Sequence, residues 1–194
     1  MVGGILYAEG VSHHSPGLPR LFSGYPGRRP VDNIGPGPLA LTTMPQSLSN
    51  VLVHIVFSTK ERPPFLLDTK LRAAMHKHLA VVSTQLRCPV IKVGGVEDHV
   101  HILARQARTI TLAEWVKESK RPSSLWAKEA RQGCQVFPWQ AGYGAFSVSQ
   151  SQSAAVERYI ARQQEHHRSL SFQEELRTLL SRHKIAYDER YVWD

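Results

Sequence analysis

The spacing of apolar residues changes several times along the chain, and each change predicts a separate element. The segment "NVLVHIVFSTK", from Asn50, is apolar and rich in β-branched residues, which predicts a buried strand that ends at the prolines of "ERPPF". The apolar residues of "TKLRAAMHKHLAVVSTQL" then recur at helical spacing, and Asp68 is suited to cap that helix. A strand followed by a helix is therefore expected.

The rest of the pattern predicts three more strands and three more helices. "PVIKVGGV" and "HVHILARQ" are expected to be strands joined by a tight turn, and "GYGAFSVS" a fourth strand. A helix begins near Thr111, which forms a capping-box pattern with Glu114, and Pro122 is expected to interrupt it before "SSLWAKEAR" resumes. Two helices follow, over about 153–167 and 171–183.

The order strand, helix, strand, strand, helix, strand predicts an α+β fold. It is the alternation of the ferredoxin-like (RRM-like) fold, a mainly antiparallel four-stranded sheet with two helices on one face. Additional C-terminal helices follow, one of which carries a tyrosine, and the second face of the sheet is left for another element.

The N-terminal segment has a different composition. Residues 1–43 contain eight of the 13 glycines and six of the 12 prolines, without a sustained helical or strand period. We expect a disordered Gly/Pro-rich extension there and a single domain over residues 44–194, with Met44 as the functional start.

Charge and composition narrow the class of partner. A net charge of +8 and a pI of about 9.8 make nucleic acid the first partner to consider. The apolar runs fall far short of the roughly 20 residues that span a bilayer, so no membrane partner is expected. Cys88 and Cys134 are far apart and are interpreted as ordinary small apolar residues in a reducing cytoplasm.

Two histidines follow a turn in "GGVEDHVHILAR". On a strand, His99 and His101 point to the same face, so both imidazoles can reach one ion while Val100 and Ile102 enter the core. The same spacing in the helical "HKH" turns the rings about 200° apart, which indicates surface or packing roles. With ten histidines in the chain, an exposed pair without function is the alternative.

A later helix brings polar groups into a second stripe. Tyr159 and Gln163 are four residues apart, and His166 and His167 come about one turn later, so all can share one side of a helix. The alternative is that the tyrosine packs in the core and that "QEHH" is a polar helix end.

Four segments together resemble a known family. "VHIVFSTKERPPFL", "DHVHIL", "GYGAFSVSQSQ" and "YIARQQEHH" with "FQEEL" are similar to the single-tyrosine transposases of bacterial insertion sequences and to the REP-associated tyrosine transposases, which belong to the HUH (His-hydrophobe-His) superfamily. The resemblance covers Met44 to Asp194 and leaves the first 43 residues without a counterpart. Arg162 stands where the family has Asn, which leaves Tyr159 and Gln163 intact.

The resemblance implies a transposase with a metal centre and a tyrosine nucleophile. His99, His101 and Gln163 would bind a divalent ion, Mg²⁺ or Mn²⁺, although imidazoles also suit Zn²⁺, Ni²⁺ or Cu²⁺. Tyr159 would cleave single-stranded DNA at hairpin-containing ends and form a 5′-phosphotyrosine link, in a homodimer. His54, with the histidines of "QEHH", is a candidate for assisting phenol ionisation.

Strand transfer through such a link requires no nucleotide cofactor, and the sequence lacks a G-x-x-x-x-G-K-[ST] phosphate loop. The bacterial cytoplasm, in association with the nucleoid, is the expected location. A domesticated hairpin-binding protein of the same family, without transposition activity, is the alternative function.

Basic residues around two tryptophans form a candidate DNA surface, with charge for phosphates and rings for unpaired bases. Core packing of the tryptophans is the alternative. The candidate DNA-binding residues are Lys117, Lys120, Arg121, Trp126, Lys128, Arg131, His166 and His167.

Overall fold

The computed structural model of the chain describes residues 47–130 and 137–193. The expectation of disorder over residues 1–43 lies outside these residues, as do the predictions for Arg131 and Cys134. The described residues belong to one compact unit, Gln46–Asp194. Cys88 is buried in the core, as the sequence predicts.

A four-stranded sheet forms the centre of the fold. Its strands are β1 (Leu52–Ser58), β2 (Val90–Gly95), β3 (His99–Arg105) and β4 (Gly144–Val148). They are arranged in the order β2-β3-β1-β4, and each neighbouring pair is antiparallel. The predicted ferredoxin-like α+β fold is confirmed.

Two long helices cover one face of the sheet. They are α1 (Thr69–Gln85) and α2 (Leu112–Ala130). Asp68 caps α1 by accepting from two backbone N–H groups, and Thr111 and Glu114 form the predicted capping box. The larger core cluster lies between these helices and the sheet; it includes Phe57, Met75, Leu79, Val100, Ile102 and Trp115.

The predicted interruption of α2 at Pro122 is wrong, because the helix continues through it. A proline removes one helical N–H donor and crowds the preceding turn. The Ser123 hydroxyl donates to the carbonyls of Ser119 and Lys120, at 2.8 and 2.9 Å, and accepts from the Trp139 indole. Buried side chains before and after the proline anchor both halves of the helix, so packing outweighs the local penalty.

A short 3-10 helix (Gln150–Gln152) and three α-helices follow β4, and the α-helices pack on the opposite face. The predicted helix over 153–167 is divided at Arg162 into α3 (Ser153–Ala161) and α4 (Gln163–His166). The last helix is α5 (Phe172–Arg182), which has a capping box at its N-terminus. It contributes to a second apolar cluster, made of Val56, Phe146, Phe172, Leu176, Leu179 and Leu180.

The first glycine of the "GG" pair determines how closely α3 approaches the sheet. A Cβ atom placed on Gly94 would lie 2.4 Å from the Ile160 carbonyl oxygen, which is far inside van der Waals contact. Gly94 therefore lets the backbone of α3 rest directly on β2. This contact positions Tyr159, the residue before Ile160.

Over the described residues, no helix combines the length and apolar character needed to cross a bilayer.

Candidate metal centre and nucleophile

The two strand histidines lie on the face opposite α1 and α2. Val100 and Ile102 enter the larger core cluster, and His99 and His101 are fully buried on the other side of the sheet. This is the arrangement that the alternation of the strand predicts.

Each imidazole is held through its Nδ1 atom. His99 Nδ1 is hydrogen-bonded to Asp98 Oδ1 at 2.6 Å, and His101 Nδ1 to His54 Nε2 at 2.9 Å. The His54 ring also stacks on His101, with centroids 5.1 Å apart. Partners of this kind orient metal-binding histidines and fix the tautomer. The Nε2 atom of each ring is thereby left to bind an ion.

Both Nε2 atoms face Glu175, a buried residue of α5. Its Oε2 atom lies 3.5 Å from His99 Nε2 and 3.3 Å from His101 Nε2. The second contact lacks hydrogen-bonding geometry, and His101 Nε2 has no hydrogen-bond partner among the described residues. A buried nitrogen in this condition is costly unless another group binds it.

The same carboxylate contacts three further side chains. His167 Nε2 lies 3.0 Å from Glu175 Oε2, and Gln163 Nε2 donates to Oε1 at 2.8 Å. The Tyr159 hydroxyl also donates to Oε1. The four-residue spacing of Tyr159 and Gln163 therefore brings both side chains to one oxygen, across the break at Arg162.

These residues fit a divalent metal ion. Ligand atoms of His99, His101, His167 and Glu175 all lie within 4.8 Å of one another. Imidazole nitrogens and one carboxylate are a donor set for divalent transition ions, and the unpartnered His101 Nε2 supplies a position that an ion would fill. Gln163 Oε1, the predicted third ligand, lies 3.3 Å from His99 Nε2 at the edge of this cluster.

The protonation states also suit a metal centre. Burial lowers the pKa of His101 to about 4, with the Glu175 charge offsetting part of the effect, and burial lowers that of His54 to about 3. Burial alone would raise the pKa of Glu175, but the adjacent His101 and His167 rings hold it below its usual range. At neutral pH His54 and His101 are therefore neutral and Glu175 is ionised, as metal ligation requires. Burial alone would lower the pKa of His167, but Glu175 raises it.

Tyr159 remains a phenol in this environment. Burial raises its pKa, and the neighbouring Glu175 charge raises it further. Its ring lies edge-on to His101, with centroids 5.9 Å apart. The candidate nucleophile is thus adjacent to the imidazole pair, and it stays protonated as long as Glu175 is ionised.

The predicted DNA residues of α2 lie away from this centre. The helix packs on the Val100 face, and Lys117, Arg121 and Lys128 are exposed on it. Trp126 stacks on His78 of α1, with centroids 5.2 Å apart. A DNA role for these residues stays a prediction, and it would concern a different surface.

The remaining candidates have other neighbours. The Lys120 ammonium donates to the carbonyls that precede β4, at 2.7 to 3.3 Å, which secures that loop. His166 lies edge-on to Tyr159, with centroids 5.2 Å apart, so it is at the site. His167 contacts Glu175 inside the cluster, which suits a ligand better than a surface contact.

Sequence reasoning did not assign Glu175, although its position contained a signal. In "SFQEELRTLL", Glu174 completes the capping box, whereas Glu175 falls three residues after Phe172 and four before Leu179. This places a carboxylate on the apolar side of a helix, where an ionised group requires partners. Asp98 was treated only as a turn residue, yet it orients His99.

The fold and the site together define an α+β protein with a buried His-hydrophobe-His centre beside a tyrosine-bearing helix. A family model described as "Transposase IS200 like" matches residues 47–163, and the chain belongs to this family of transposases. The resemblance seen in the four sequence motifs is confirmed. The match ends at Gln163, before His167 and Glu175.

Solved structures of two proteins are similar to the chain. A candidate transposase from Deinococcus radiodurans R1 is 20% identical over 63% of this chain and 98% of its own, with a TM-score of 0.49. A REP-associated tyrosine transposase bound to a REP hairpin is 14% identical over 66% of this chain and 74% of its own, with a TM-score of 0.47. Among curated proteins, none matches the chain significantly.

Proposed function

We propose that this transposase cleaves and rejoins single-stranded DNA at hairpin-containing ends, through a metal-dependent reaction in which Tyr159 forms a 5′-phosphotyrosine link. One observation carries the proposal: a single buried carboxylate, Glu175, connects the tyrosine hydroxyl to both imidazoles of the His-hydrophobe-His pair. Family membership supplies the reaction class.

The surroundings of Tyr159 suit a DNA strand. Its side chain lines a cavity of about 510 Å³ together with Arg158 and Arg162. It also lines a second cavity of about 560 Å³, which includes Arg182 and His183. The arginine side chains that line the two cavities would hold the phosphates that flank the attacked one.

The chemistry follows from these positions. A divalent ion supplies Lewis-acid stabilisation of the phosphate oxygens. The Tyr159 oxygen bonds to phosphorus as the bond from phosphorus to O3′ breaks, and O3′ takes a proton from water and leaves as a 3′-hydroxyl. The phenol proton passes to Glu175, the carboxylate to which it is hydrogen-bonded. Attack of a 3′-hydroxyl on the phosphotyrosine then rejoins the DNA and restores the phenol.

The ion would be held by His99, His101 and Gln163, with Glu175 and His167 as further ligands. Of the two predicted ions, this donor set favours Mn²⁺, because Mg²⁺ prefers oxygen ligands in octahedral geometry. Assembly in cis is proposed, because the Tyr159 hydroxyl reaches the carboxylate that faces the imidazoles within a single chain. A homodimer, as the resemblance implies, is proposed as the working assembly.

Covalent trapping tests the proposal. Purified protein, Mn²⁺ and a labelled single-stranded hairpin oligonucleotide should give a denaturant-resistant adduct, and Tyr159→Phe should abolish it. Tyr191→Phe is the matched control, because that ring is exposed. An undiminished adduct in Tyr159→Phe would refute the assignment of the nucleophile. Hairpin binding without any adduct, across several hairpins and divalent ions, would instead favour the domesticated binding protein.

A further inference from the structure

A further polar cavity, separate from the two that Tyr159 lines, opens at the β2 edge of the sheet. It has a volume of about 280 Å³ and is bordered by α1 and by the residues around the break between α3 and α4. Arg72 and His76 come from α1, Lys92 and Gly94 from β2, and Gln163 lies on the side of the metal centre. None of the described residues that line the cavity is acidic.

The two cations of this cavity are only partly neutralised. Arg72 is buried, and its guanidinium lies 3.6 Å from the Glu97 carboxylate, whose side chain is 46% exposed. A guanidinium has more N–H donors than one carboxylate can accept. Lys92 adds a second cation. Two cations and one carboxylate leave a net charge of one, which matches the single negative charge of a phosphodiester.

His76 supplies a further polar atom without a partner. Its Nε2 is buried and makes no hydrogen bond to any residue within 47–130 or 137–193. Burial, with the charge of Arg72, lowers the pKa of His76 to about 4, so the ring is neutral at pH 7. In the tautomer with hydrogen on Nε2, the ring can donate to an anion.

The backbone contributes donors as well. β2 is an edge strand that pairs with β3 on one side only. Backbone N–H groups on the outer side of an edge strand have no strand partner.

We propose that this cavity binds a backbone phosphate of the single-stranded DNA, adjacent to the phosphate that is cleaved. The inference rests on the proposed function for its ligand. Gln163 connects the two places, because it lines the cavity and also contacts His99 and Glu175. A strand that crosses the metal centre would continue past Gln163 into the β2 edge and thereby fix which phosphate meets Tyr159.

Salt-dependent DNA binding tests the proposal. The affinity of a fluorescent hairpin oligonucleotide with single-stranded flanks is measured by anisotropy in EDTA, between 50 and 200 mM salt. Loss of one phosphate contact on single-stranded DNA reduces the slope of log K against log salt by about 0.7. Lys92→Ala should therefore weaken binding. Between 50 and 200 mM salt, its affinity should fall by a factor about 2.6-fold smaller than the factor for wild type. The matched control is Lys77→Ala, which removes an exposed charge from α1.

An equal slope in Lys92→Ala and wild type, or an equal change in Lys77→Ala, would overturn the inference. Inorganic phosphate at constant ionic strength serves as a second probe, with thermal unfolding as the measurement. Stabilisation by phosphate that is lost in Lys92→Ala, together with unchanged oligonucleotide binding, would assign the cavity to free phosphate and overturn the DNA assignment. Because these measurements exclude metal, they are independent of adduct formation, so failure of the inference is distinguishable from failure of the proposed function.

Discussion

Replacing His54 with phenylalanine tests whether the proposed metal centre depends on the orientation of His101. The variant keeps a flat ring against His101 but removes the nitrogen that lies 2.9 Å from His101 Nδ1. Burial lowers the pKa of both histidines well below 7, to about 3 for His54 and about 4 for His101, so both rings are neutral. If His101 binds an ion through Nε2, its Nδ1–H must donate to His54, and phenylalanine cannot accept that hydrogen bond.

The magnitude follows from the contact that is lost. Removing the hydrogen-bond partner of a metal-binding histidine typically weakens metal affinity by about 10- to 100-fold. In metal-free protein the buried N–H is left unpaired at a cost of about 1–3 kcal/mol. Each kcal/mol lowers Tm by roughly 2–4 °C in a domain of this size. We therefore expect weaker Mn²⁺ binding in calorimetric titrations of His54→Phe, and a lower Tm in EDTA.

Two comparison variants make the result specific. His54→Gln offers an amide oxygen to the same N–H and should recover part of the Mn²⁺ affinity. His78→Phe changes a histidine on the opposite side of the sheet and should bind Mn²⁺ as wild type does. A folded His54→Phe protein with wild-type Mn²⁺ affinity would refute the idea that His101 is a ligand oriented by His54.

Two further substitutions test the helices that close the site. In wild type, Mn²⁺ at 100 times its Kd should stabilise the fold by about 2.7 kcal/mol and raise Tm. Glu175→Gln removes the shared carboxylate and should abolish most of this rise in Tm. The control Glu165→Gln changes an exposed carboxylate and should keep the rise. An unchanged rise in Glu175→Gln would exclude that carboxylate as a ligand. Gly94→Ala forces α3 away from β2 at a cost of about 1–3 kcal/mol, because the added Cβ would meet the Ile160 carbonyl. The rate of adduct formation should fall by more than the loss of folded protein, judged from Tm, can explain. An unimpaired rate would show that the position of α3 is not critical.

Local signals were sufficient for the strands, for two helix caps and for the histidine face. The caps at Asp68 and Thr111 are formed by adjacent residues, so the sequence contains all the information for them. The two-residue period of β3 likewise determines that His99 and His101 share a face once Val100 is buried. These features depend on contacts within a few residues.

Features that depend on packing between residues far apart in the chain could not be predicted from the local sequence pattern. α2 passes through Pro122 because its buried side chains pack on the sheet and α1, which local propensity does not include. Lys120 was a candidate DNA-binding residue, and the sequence did not indicate that its ammonium is bound to carbonyls about 20 residues later in the chain. The sequence places basic residues near tryptophans without indicating which face of the sheet receives them.

Completion of the site by α5 has a consequence for the tyrosine. Glu175 is outside the matched family segment, yet it contacts Tyr159, Gln163 and both imidazoles. An ionised carboxylate beside a phenol opposes formation of a phenolate, and burial strengthens the effect. Oε1 of Glu175 accepts the hydrogen bond from the phenol, and Oε2 faces the two imidazoles. The carboxylate therefore links the proton on Tyr159 to the charge at the imidazole pair. The phenol form of the proposed nucleophile is therefore stabilised by the residue that would complete the metal centre. A cation bound at Glu175 Oε2 would offset the charge that opposes phenolate formation, while Oε1 accepts the phenol proton.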